Sequence, residues 1–111
     1  MWVFTNFGFY SVVQKLGEDG LTVRSRVRED LDRLRQNVLP ALGETLGHVG
    51  TDYPFRAQVS HENFGEALKQ IALNLDYSNF KNAVNHELGA RRADVCHNVW
   101  SELLELENGR I

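Results

Sequence analysis

One cysteine among 111 residues, Cys96, excludes an intrachain disulfide and, by itself, a cysteine-rich zinc site. No uninterrupted run of about 18 apolar residues occurs, so no membrane-spanning helix is expected. The amino terminus has no basic region followed by a long apolar run and a small-residue cleavage site, and a soluble cytoplasmic protein is expected. An excess of positive charge is also missing. Twelve basic residues against 15 acidic ones leave a net charge of −3, which excludes a protein basic all over but permits a local basic patch. No glycine-rich phosphate loop and no RNA-binding signature is present. His48, His61, His86 and His97 are scattered without i,i+4 spacing, and neighbours Cys96 and His97 would diverge by about 100° on a helix. No metal site and no cofactor is expected. Repeats, low-complexity tracts and linkers are lacking, so the chain reads as one domain over 1–111.

What is there is ordinary globular composition, 42% hydrophobic and 24% charged, which argues against disorder. A chain of this length buries roughly two-thirds of the surface its unfolded form exposes, enough for one core without staples.

The opening stretch "WVFTNFGFYSVVQ" is rich in the aromatic and β-branched residues that suit strands. Alternation puts Trp2 and Phe4 on one face and Phe7, Phe9 and Val13 on the other. One extra residue near Asn6-Phe7-Gly8 brings both sets onto one face, so the reading is a single bent strand with its rings mainly in the core. Tyr10 and Gln14 then point outward. Gly17 and Gly20 mark a hairpin loop. In "LTVRSRV", Leu21, Val23, Ser25 and Val27 share one face, and Thr22, Arg24 and Arg26 the other.

Arg28 to Leu39 reads as a helix with Leu31, Leu34 and Val38 along a stripe and Glu29 and Asp30 in its first turn. Pro40 ends it, and a glycine-rich stretch follows in which Ala41 to Leu46 has room for a short turn of helix. "FRAQV" is a third strand, with Phe55, Ala57 and Val59 inward and Arg56 and Gln58 outward. Ser60 caps a long helix striped by Phe64, Leu68, Ile71, Ala72 and Leu75. A short helix capped by Asp76 or Ser78 follows. The last helix runs from about Ala90 to Glu107, with Cys96, Val99, Trp100 and Leu103 as its buried stripe, and ends at Asn108-Gly109.

The order β-β-α-β-α-α-α predicts a two-layer α+β sandwich, its small, mostly antiparallel sheet covered by helices on one face, with a right-handed crossing in its β-α-β portion. The arrangement is similar to ferredoxin-like folds. The segments "GFYSVVQK", "LTVRSRVREDLDRL", "GTDYPFRAQV", "LDYSNFK" and "HNVWSELLEL" together resemble a family of short bacterial hypothetical proteins. That resemblance spans nearly the whole chain and implies a bacterial, soluble, single-domain protein.

The strongest candidate site is an arginine set. Arg24 and Arg26, two apart on one strand, leave the same face roughly 7 Å apart, and Arg56 shares the outward phase on the third strand. Guanidinium forks suit phosphate and carboxylate oxygens, and Tyr10 and Gln14 are expected beside them, one offering a ring for stacking. The leading expectation is a non-enzymatic binding module whose arginine-bearing sheet face contacts an anionic partner: nucleic acid, nucleotide or acidic protein surface. The first alternative is a protein-only adaptor or homodimeric subunit that uses that face or the last helix, whose Val95, Leu104 and Leu106 widen its apolar surface. The second is a small metal-independent nuclease in which His61, at a helix start, moves a proton while arginines stabilise phosphoryl charge. Asp52-Tyr53 and Asp76-Tyr77 read as turn chemistry.

Overall fold

A computed structural model of the chain describes residues 1–48 and 52–109, which fall into two compact units, Met1–Asp76 and Tyr77–Ile111. The aromatic opening is a hairpin, not one bent strand. β1 (Trp2–Thr5) pairs antiparallel with β2 (Gly8–Val13), Thr5 standing opposite Gly8, and the chain reverses at Asn6-Phe7. The Thr5 hydroxyl closes the turn, donating to the Gly8 carbonyl at 2.9 Å and accepting from the Phe7 amide at 3.3 Å. Gly8 serves close approach here. A β-carbon on it would sit 2.8 Å from Cζ of Tyr10 and 3.0 Å from Cγ of Asp30.

β3 (Leu21–Ser25), α1 (Arg28–Asn37), β4 (Leu46–Gly47), β5 (Phe55–Val59) and α2 (His61–Leu73) complete the first unit. All pairings are antiparallel, in the order β1-β2-β3-β5-β4. Because β3 and β5 are antiparallel neighbours, the expected right-handed parallel crossover does not arise. The stretch Ala41 to Leu46 forms no helix and leads into the short edge strand β4.

One sheet face makes the core. Val12 lies opposite Val23 and Val23 opposite Ala57, and with Tyr10 and Val59 these side chains meet Leu31 and Leu34 of α1 and Phe64 and Ala67 of α2. The inward phase read from β3 and β5 holds. Each of the valine, leucine and phenylalanine side chains in this core contributes about 1.5–3 kcal/mol on burial. Ser60 caps α2 as expected, accepting from the Asn63 amide at 3.1 Å. This unit is a two-layer α+β sandwich.

The second unit is a helical hairpin of α3 (Phe80–Leu88) and α4 (Ala90–Leu103), extended by a 3-10 turn over Leu104–Asn108. Asn79 caps α3 by accepting from the Asn82 amide at 2.9 Å, in place of the expected Asp76 or Ser78. Gly89 alone joins the helices at φ +94 and ψ 170, a conformation open essentially to glycine only. Lys81, near the start of α3, reaches Nδ1 of His97 at 3.1 Å and stands 4.8 Å from the Trp100 ring, so the helices run antiparallel. α3 has nine residues and α4 fourteen, and beyond Trp100 α4 outruns its neighbour.

Candidate functional site

On the sheet face opposite the core, one rung crosses all five strands: Trp2, Ser11, Arg24, Arg56 and Leu46 stand in register. Arg24 and Arg56 are therefore direct cross-strand partners, an arrangement in which like charges repel unless compensated. Asp52 supplies the compensation. Its Oδ2 lies 3.8 Å from Nη1 of Arg24 and its Oδ1 3.6 Å from Nη2 of Arg56, while Oδ1 also accepts from the Tyr53 amide at 3.1 Å. The Tyr53 ring lies under two guanidinium groups, its centroid 4.7 Å from Cζ of Arg24 and 4.5 Å from Cζ of Arg26. Arg26 donates through Nη1 to the Asp52 carbonyl, and Arg24 through Nη2 to the Ser11 hydroxyl at 2.6 Å.

The three expected arginines are thus brought together, but around a carboxylate and a ring of their own chain. The Arg24 and Arg56 side chains keep only 16% and 11% of their surface exposed, whereas that of Asp52 keeps 56%. Asp52-Tyr53 does more than shape a turn. It occupies the position an external anion would take. A usable signal was present: two outward arginines on neighbouring strands require a counter-charge, and Asp52 stands four residues before Arg56.

Two expected members of the site lie elsewhere. Tyr10 is buried on the core face and donates its hydroxyl to the Asp30 carbonyl at 2.6 Å. The hairpin turn gives β2 a phase that the bent-strand reading did not. Gln14 is exposed beyond the end of β2 and donates to the Glu18 carbonyl at 2.9 Å, within the loop leading to β3. The rings of Trp2, Phe4 and Phe9 do share one face, but it is the arginine face and not the core. Trp2 meets Phe9 edge-on at 5.7 Å, Phe4 lies 4.5 Å from Phe9, and Trp2 is 67% exposed.

Compared with protein-family models, with curated proteins and with solved structures, the chain matches none.

His61 is the exposed first residue of α2, and its side chain makes no hydrogen bond or ion pair among the described residues. Among those residues no three metal-ligating side chains cluster, and no helix is long and apolar enough to cross a membrane. Cys96 is half-buried. Desolvation raises its thiol pKa, with Arg92 pulling weakly the other way, which is the opposite of an activated nucleophile.

The second unit carries a different anomaly. No residue of α4 is buried. Trp100 and Leu103, expected as core, are 52% and 54% exposed, and Val95, Leu104 and Leu106 stand out likewise. Cys96 and Val99 are half-buried, but the overhanging part of α4 has no helix of its own hairpin to pack against.

Proposed function

We propose that this chain is a non-enzymatic protein-interaction module, working through the apolar tail of its carboxy-terminal hairpin. The observation that supports this reading is a fourteen-residue helix with no buried residue, followed by a turn that leaves Leu104 and Leu106 in water. Large apolar side chains grouped in this way mark interaction surfaces, whereas singly scattered ones do not. The surface carries Trp100, and tryptophan is enriched at the centres of protein interfaces.

A second reading keeps the anionic partner at the sheet face. What favours it is the looseness of the internal ion pairs: at 3.6 and 3.8 Å Asp52 is beyond hydrogen-bond distance from both arginines, and it is largely exposed. A phosphate or carboxylate able to make shorter contacts would compete with it.

One set of measurements separates the two. In a Trp2→Phe background, dilute protein should show Trp100 emission quenched by acrylamide nearly as freely as in the unfolded chain. A shielded Trp100 in dilute protein sinks the hairpin reading. Titration with single-stranded oligonucleotides at low salt should show no binding. Binding that weakens steeply with added salt and disappears in Arg24→Ala/Arg26→Ala transfers the function to the sheet face.

A further inference from the structure

The charges of α4 run against its own dipole. Arg91 and Arg92 occupy the first turn, with no acidic residue there, while Glu102 lies near the end, no basic residue occupies the last turn, and Glu105 and Glu107 follow. A helix standing alone favours the reverse, acids at its amino end and bases at its carboxyl end. α3 already brings its carboxyl end close to these arginines across Gly89, and an antiparallel neighbour of the same sequence adds side-chain charge to that, since basic start then meets acidic finish twice over.

The apolar positions obey the same symmetry. Val95 and Leu103 lie four residues either side of Val99, and Arg91 and Glu107 lie eight either side. The α-helix extends to Leu103 and Glu107 lies in the 3-10 turn beyond it, so a two-fold axis near Val99 sets Val95 against the partner's Leu103, with Trp100 beside the axis, and turns the basic start of one α4 towards the acidic finish of the other. Such a self-complementary patch is what an isologous dimer interface requires. Resting on the interaction reading above, we infer that the occupant of the apolar tail is a second copy of this chain, its α4 packed antiparallel against the first. The two hairpins then form a four-helix arrangement in which the overhang of each α4 gains the cover that its short α3 does not supply.

Sedimentation velocity of the full chain tests this from about 1 µM to about 100 µM, a range bracketing micromolar association. The expected result is a shift from monomer to twice the monomer mass. Arg91→Glu/Arg92→Glu and Glu102→Lys/Glu105→Lys/Glu107→Lys should each weaken self-association at least tenfold, and an equimolar mixture of the two variants should restore it as a heterodimer. Both reversals agree better with the helix dipole than the native charges do, so the fold should survive, as far-UV circular dichroism will show. Self-association indifferent to both reversals overturns the antiparallel geometry. A chain monomeric throughout, with Trp100 freely quenched in the Trp2→Phe background, overturns the second copy but leaves the interaction reading standing. A monomeric chain with Trp100 shielded overturns both.

Discussion

Asp30 does more work than its position in a helix suggests. Read from the sequence, it is a first-turn acid favoured by the helix dipole. In the fold it is 1% exposed, with Oδ2 accepting the Phe9 amide at 3.0 Å and Oδ1 paired with Nη2 of Arg33 at 2.5 Å. Arg33 in turn donates through Nε to the Phe7 carbonyl at 2.8 Å, and the Asp30 carbonyl receives the Tyr10 hydroxyl. These contacts pin the β1–β2 hairpin onto α1 across twenty or more residues of chain, a distance over which local pattern carries no signal. Replacing a buried carboxylate with this many partners leaves buried donors and a charge without their match. Asp30→Asn is expected to lower stability by about 2–3 kcal/mol, discounted because Arg33 is partly solvated, in urea unfolding followed by far-UV circular dichroism. A loss under about 0.5 kcal/mol, the range of an ordinary surface change, would show that the turn stands without it.

At the scale of elements, the hairpin shows how length decides burial. The spacing of Cys96, Val99, Trp100 and Leu103 does mark one stripe, and Cys96 and Val99 in it are half-buried. Its end emerges into water because α3 stops at nine residues. Periodicity reports which side of a helix is apolar, not how far the neighbouring helix extends. Cys96 offers a probe of this element. Desolvation in the fold holds its pKa above the unfolded value, so between those two values the folded chain binds more protons than the unfolded one. The stability contributed is therefore constant below the unfolded thiol pKa and declines as pH rises through the raised folded value. Iodoacetamide labelling of native protein should accordingly show its rate midpoint displaced to higher pH than in urea-unfolded protein. Coincident midpoints would mean that the hairpin does not cover the thiol.

For the whole molecule, the division after Asp76 has a consequence that truncation can measure. The first unit contains the complete sheet and the connected cluster from Tyr10 to Ala67. Its core is self-contained. A chain ending at Asp76 is expected to fold cooperatively, with dispersed amide resonances and a sharp urea transition. A broad, non-cooperative transition would show that the hairpin is needed to complete the fold. The hairpin has Val84 as its buried apolar residue in α3 and none in α4, too little for 35 residues to stand alone. That imbalance between the units agrees with the interaction role proposed for the second.

The sequence by itself determined the α+β class, the phases of β3 and β5, the capping of α2 and the apolar stripe of α1, because each follows from side-chain periodicity or from contacts only a few residues apart. Of the stripe read for α2, Phe64 is buried while Ala72 and Leu75 are exposed. Tertiary structure decided the rest. A bulge and a two-residue turn both place Trp2, Phe4 and Phe9 on one face, and only the helices packed against the sheet determine which face is core. Local pattern likewise showed that Arg24, Arg26 and Arg56 point outward. That their charges are met by Asp52 and Tyr53 depends on where the segment before β5 returns to the sheet, a long-range closure that side-chain alternation does not encode.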